Sequence, residues 1–103
     1  MTLGEKQRKF SLMVATLIAW AYENGYEITF GDAYRDERVP YGHKSSLHKV
    51  RLAIDLNLFK DGEYLVETND HTPLGEYWES IGGTWGGRFN DGNHYSLTYR
   101  GMK

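Results

Sequence analysis

Cysteine is absent from the 103 residues, and that one absence removes disulfides, thiolate nucleophiles and cysteine-ligated structural zinc together. Any metal must therefore be held by imidazole and carboxylate. An excess of positive charge is missing too: the net charge is −2 and the pI about 6.0, so binding driven by counterion release from nucleic acid has little to work with. No run of apolar residues reaches the ~20 needed to span a bilayer. Repeats, low-complexity tracts and linkers are likewise missing. What is present is 40% hydrophobic and 25% charged, with three Trp, eight Tyr and four Phe, the composition of a compact folded protein. The length fits one domain, residues 1–103, and the expectation is a monomer that binds neither nucleic acid nor membrane.

Near the N-terminus, Lys6, Arg8 and Lys9 precede the apolar stretch from Phe10 to Ala21, and Ala19-Trp20-Ala21 has A-x-A form, in partial imitation of a secretory signal. Phe10, Met13, Val14, Leu17, Ile18 and Ala21 instead fall on the single stripe of an amphipathic helix. The spacing of Thr2 and Glu5 matches a capping box, and Asn24-Gly25 supplies an exit, which predicts a retained core helix over residues 3–24. Alternation then predicts a strand with Tyr26, Ile28 and Phe30 on its apolar face. Residues 31–46 have no sustained period and read as a long loop, the kind that more often carries function than not.

A second strand is predicted from Leu52 to Phe59, with Ile54, Leu56 and Leu58 on one face and Ala53, Asp55 and Asn57 on the other. Asp61-Gly62 turns it into a hairpin with residues 63–66. Thr72-Pro73 reads as a cap and first helical residue, with Leu74, Tyr77, Trp78 and Ile81 as the buried stripe and Gly82-Gly83 as the stop. After GGTWGG, residues 94–99 alternate again, Tyr95, Leu97 and Tyr99 opposing His94, Ser96 and Thr98. Segregated helices and antiparallel strands define an α+β domain, a small sheet with its helices on one side.

Asp55 and His94 occupy equivalent places, each on the polar face of a strand whose other face is apolar. Were those strands neighbours, both side chains would leave the same side of the sheet, with His48 entering from the loop. Two imidazoles and a carboxylate make the three-ligand set of a catalytic zinc site, which keeps a fourth position open. The bland alternative is a surface pair or a satisfied buried polar group, and Asn90-Asp91-Gly92-Asn93 is equally well suited to be a plain turn. His43 and His71 read as surface residues, and GGTWGG lacks the Lys-Ser/Thr of a phosphate loop. Trp85 either lines a groove or packs in the core.

Ser46-Leu47-His48 followed by Ala53-Ile54-Asp55 fits S-x-H-x(4)-A-x-D, and Asp91-Gly92-Asn93-His94 fits D/E-x-x-H. Together they resemble the M15 family of zinc peptidases, which includes D-Ala-D-Ala peptidases and phage endolysins. The stretches IAWAYENGYEITFGDAYRDE, DLNLFKDGEYL and LGEYWESIGGTWGGRF resemble the phage L-alanyl-D-glutamate endopeptidase branch in particular. The resemblance implies a Hedgehog/D-Ala-D-Ala-peptidase-like fold, with Zn2+ on His48, Asp55 and His94, Asp91 as the catalytic carboxylate and Arg35 as a positive charge at the reacting carbonyl. It also suggests that Ser46 contacts substrate or orients its loop. Two departures stand out: Arg51 occupies a place where the family often has Gly, and the loop between Arg35 and His48 is short.

The implied activity is hydrolysis of the L-Ala-D-Glu bond in bacterial peptidoglycan by a phage lysin, held in the host cytoplasm until lysis and reaching the wall through a holin. A D,D-carboxypeptidase or dipeptidase on the same scaffold, or a non-catalytic wall-binding module, are the alternatives. Asp91 separates the last of these, since a pure binder has no use for a carboxylate poised beside a metal site.

Overall fold

The computed structural model describes residues 1–36, 38 and 46–103. Helix α1 covers Leu3–Glu23, opened by a reciprocal Thr2/Glu5 capping box and ended at Asn24 before Gly25, whose φ is +86°. Its buried residues are Phe10, Met13, Val14, Leu17 and Ala21, so the stripe that resembles part of a secretory signal is core in this fold. Among the described residues no helix is long and apolar enough to cross a membrane.

Strand β1 spans Tyr26–Phe30, β2 Ala53–Lys60, β3 Glu63–Leu65, β4 Thr84–Trp85 and β5 His94–Ser96. All pairings are antiparallel, in the order β1-β2-β5-β4, with β3 also on β2. Strand β2 is the axis of the sheet: residues 56–60 pair with β1, residues 58–60 with β3 and residues 53–55 with β5. The β2–β3 connection is the expected tight turn, with Asp61 at φ +53° and Gly62 at φ +80°, the doubly left-handed form that matches strand twist.

Ile54, Leu56, Leu58 and Tyr95 are buried on one face of the sheet, under α1 and helix α2, Thr72–Ser80. Phe10 meets Trp78 edge-on at 5.8 Å, Trp78 meets Tyr95 at 6.1 Å, and the Trp78 indole N–H donates to the carbonyls of Ser96 and Thr84. This aromatic line ties helix to helix to sheet, each fully buried large side chain contributing roughly 1.5–3 kcal/mol. Trp85 is also core: it is 3% exposed, and its ring lies so close over α2 that a Cβ on Gly75 would fall 2.0 Å from Trp85 Cδ2.

Four local expectations are corrected. Phe30 shares the apolar face of β1 but stands 68% exposed, at the end of a strand on the edge of the sheet. The second helix does not start at a Thr72 cap: a 3-10 turn, Thr68–His71, precedes it with its own Glu67/Asp70 box, and His71 is the capping residue. The last strand stops at Ser96, because the chain then turns through Arg100 and Gly101, both at positive φ, to bridge Tyr99 to Met102. His71 is not a surface residue but is 3% exposed, its Nδ1 2.7 Å from the Tyr95 hydroxyl.

Two expected outcomes follow from this packing. Gly75→Ala destabilises the fold by at least about 2 kcal/mol in urea titrations, since the added methyl must displace an indole; an unchanged midpoint would show that Trp85 does not lie there. Burial disfavours the charged form of His71 and pushes its pKa down to about 4. The unfolded ring takes its proton near 6.5, so the stability owed to the neutral ring is complete at pH 7 and fades as pH falls from 6.5 toward 4. NMR titration of the His71 ring should give a midpoint near 4, and a midpoint near 6.5 would refute its burial.

Candidate metal and catalytic site

The register of one strand pair builds the centre. Asp55 and His94 are direct cross-strand partners on β2 and β5, so both side chains leave the sheet on the face opposite the helices. On the other edge of β2, Gly31 N–H donates to the Asp55 carbonyl and Asp55 N–H to the Asp32 carbonyl, each at 2.8 Å, which leads the chain from β1 past the site to Arg35. His48 arrives on a 3-10 turn, Leu47–Val50, whose cap is Ser46: its hydroxyl accepts from the His48 backbone N–H at 3.2 Å. Ser46 therefore orients the loop, and it also lines the cleft. Arg51 ends that turn at φ +58°, a conformation that favours Gly, with its guanidinium 4.0 Å above the Tyr34 ring. That stacking offsets part of the cost of placing a Cβ there.

His48 Nε2 lies 3.3 Å and His94 Nδ1 3.7 Å from Asp55 Oδ1, and the three candidate ligand atoms all fall within 4.8 Å of one another. Two ligands about 2.1 Å from a tetrahedral zinc stand roughly 3.4 Å apart, so the donor set and its spacing fit the ion. Both imidazoles are buried, and Asp55 is partly so. Burial pushes the Asp55 carboxyl upward, but its interactions with His48 and His94 outweigh this and hold it at about 2. For His94, burial pushes the pKa down, while Asp55, the Lys103 carbonyl and Asp91 outweigh it and leave the pKa raised.

His94 Nε2 is 2.9 Å from the Lys103 carbonyl. Donation to that oxygen leaves Nδ1 bare toward Asp55, the arrangement a ligating imidazole needs. His48 Nδ1 is buried and has no acceptor among the described residues. Asp91 is on the rim, half exposed, its Oδ2 3.8 Å from His94 Nδ1. The cleft, about 620 Å3, is lined by Arg35, Ser46, His48, Asp55, Asp91 and His94, together with the apolar Leu47, Phe89 and Met102. The Arg35 side chain is 11% exposed and bonds Asp32 Oδ2 at 3.0 Å. Arg38, three residues on, pairs with Asp36 and is 86% exposed, a solvated loop charge. Trp85 does not line the cleft; its indole N–H donates to the Gly92 carbonyl at 2.8 Å and so braces the Asp91 loop from beneath. A Cβ on Gly86 would meet the Asp91 carbonyl at 2.2 Å, so within GGTWGG it is Gly86 that serves this close approach. His43 lies outside the described residues.

The Lys103 carbonyl, Phe89 and Met102 are site elements that no sequence pattern marked. Main-chain acceptors carry no residue signature, and an isolated aromatic on a rim resembles any other exposed aromatic.

A family model described as D-alanyl-D-alanine carboxypeptidase, of the M15 peptidases, matches residues 41–97, more than half of the chain. The chain belongs to the M15 peptidase family. No curated protein matches it. The matched segment contains His48, Asp55, Asp91 and His94 and leaves out Arg35. Members of this family are zinc-dependent, and the cage of this M15 peptidase has the chemistry and spacing for that ion.

Equilibrium dialysis is expected to give one zinc per chain, with Asp55→Ala lowering affinity by more than about 100-fold, beyond the loss of a mere supporting contact. The raised His94 pKa adds a sign: below it a proton competes for the site, so zinc affinity rises with pH through the neutral range, with proton release measurable by calorimetry in buffers of different ionisation heat. A pH-independent affinity would contradict ligation by His94.

Proposed function

We propose that this M15 peptidase is a peptidoglycan endopeptidase of the phage endolysin type, hydrolysing the L-Ala-D-Glu bond of the stem peptide with Zn2+ held by His48, Asp55 and His94. The observation that carries hydrolysis is Asp91: a half-exposed carboxylate on the cleft rim, 3.8 Å from an imidazole nitrogen of the cage. Bound zinc supplies Lewis acidity and makes water acidic enough to lose a proton near neutral pH. Asp91 takes the proton from the attacking water on its carboxylate and returns it to the departing amine. Arg35, nearly buried in the same cleft and steered by Asp32, offers its guanidinium to the negative charge that develops on the scissile carbonyl oxygen. Ser46 shapes the His48 turn and stands where it can contact substrate. Leu47, Phe89 and Met102 give the cleft apolar lining beside these charged groups.

The endopeptidase specificity rests on the sequence stretches that resemble the endolysin branch, as do a Hedgehog-like fold, accumulation in a host cytoplasm and passage through a holin. The description of the family model favours a second reading, a D,D-carboxypeptidase on the same site. Mass spectrometry of digested muropeptides separates the two. A new amino terminus on D-Glu supports the endopeptidase, released D-Ala the carboxypeptidase, and zinc-loaded protein that frees no fragment would leave only a binding module. Asp91→Asn is expected to lower kcat by about 10²–10⁴ while retaining zinc, and Arg35→Ala by about 10²–10³. Full activity in Asp91→Asn would remove Asp91 from proton transfer.

A further inference from the structure

We propose that a second, polar cavity beside the catalytic cleft binds a neutral N-acetylated amino sugar, the glycan unit next to the peptide being cut. This deepens the peptidoglycan reading above and rests on it for the identity of the ligand. The cavity is about 220 Å3 and shares Asp91 with the cleft, so the two meet at that residue. Beside Leu65, Val66 and Gly92, its wall carries the uncharged hydrogen-bonding groups of Asn57, Tyr64, Thr68, His71, Asn90 and Asn93. Asp91 is the one carboxylate among the lining residues and no Lys or Arg accompanies it, which disfavours an anionic ligand and with it the carboxylate ends of stem peptides.

His71 supplies a donor whose direction is determined by its buried neighbour. The Tyr95 hydroxyl is fully buried and, among the described residues, bonds only His71 Nδ1, at 2.7 Å. A buried O–H must place its proton on an acceptor, so Tyr95 donates and His71 carries its own proton on Nε2. Burial keeps His71 neutral, which preserves this tautomer through the neutral range. Nε2–H meets no acceptor among the described residues, on a ring that belongs to the cavity wall. It suits a carbonyl such as that of an acetamido group.

Tyr64 adds an aromatic surface, 56% exposed and stacked on Phe59 at 5.1 Å between ring centres, against which the apolar side of a sugar ring can lie. The cavity is smaller than the ~300 Å3 lower end of drug-sized sites and suits a single ring. Chemistry also sets the distance along the substrate. L-Ala is the first residue attached to the sugar through its lactyl group, so an L-Ala-D-Glu bond at Asp91 leaves that sugar one residue away. A D-Ala-D-Ala bond would leave it several residues off.

The test is an NMR titration of the zinc-loaded full chain with N,N′-diacetylchitobiose, and with cellobiose as the control that lacks acetamido groups. Shifts confined to the His71 ring and to the Asn90, Asn93 and Tyr64 signals, absent with cellobiose and weakened at least about fivefold in Tyr64→Ala, support the site. No shifts, equal shifts with cellobiose, or shifts only in the catalytic cleft overturn it. In parallel, wild type and Asn93→Ala are assayed on glycan-linked stem peptide and on the same peptide freed of sugar. A preference for the linked form on the order of tenfold that collapses in Asn93→Ala supports the proposal, and equal rates in the wild type refute it. If diacetylchitobiose binds as expected while the bond cut is another one, the endopeptidase reading fails and the sugar site stands. If L-Ala-D-Glu is cut but the sugar does not bind, the sugar site alone falls.

Discussion

The direct pairing of Asp55 with His94 across β2 and β5 is the constraint on which the rest of the site depends. Side chains in a strand alternate with period two, so a slip of one residue would turn either group into the helix-covered face and bring Ile54 or Tyr95 to the cleft. That slip is prevented from the other side of the sheet. Ile54 and Tyr95 are themselves partners in the adjacent rung, and both are buried, Tyr95 edge-on to Trp78. Hydrophobic packing on one face thereby sets the position of ligating atoms on the other.

Collecting a carboxylate and two imidazoles in a buried pocket is not free of electrostatic cost. With nothing between them the groups would be poorly solvated, and the arrangement persists because each charge state is met by a partner. Asp55 stays ionised against two imidazoles, and Asp55, the Lys103 carbonyl and Asp91 raise the proton affinity of His94 against the effect of its burial. A divalent ion held by the same three side chains would compete with a proton on His94. Metal affinity and proton affinity are therefore two aspects of one site.

Outside the cage, rigidity comes from main-chain contacts more than from the polar side chains. The Asp91 loop is tied on several sides: Asp91 N–H to the Gly86 carbonyl, the Gly92 carbonyl to Trp85 Nε1, and the Asn93 carbonyl to Leu56 N–H. This leaves the Asp91 carboxylate exposed on a braced support, as the proton transfer proposed for it would require. The same bracing makes the loop a shared wall between the cleft and the polar cavity that contains His71.

Local chemistry written in the sequence determined the α1 stripe and its capping box, the Asp61-Gly62 hairpin and the alternation of β2, whereas His48, Asp55, Asp91 and His94 were marked by resemblance to the M15 family. Each of the local features depends on residues within a few positions of one another, where spacing alone dictates geometry. Tertiary structure alone decided what depends on neighbours distant in the chain. Phe30 is exposed at the end of a strand on the edge of the sheet, and Trp85 lies in the core because Gly75 makes room for its ring. His71 is buried because Tyr95 offers it a partner, and His94 is oriented by a carbonyl nine residues on. Strand order belongs to that second group, since alternation shows which face a residue takes but not which strand will lie beside it.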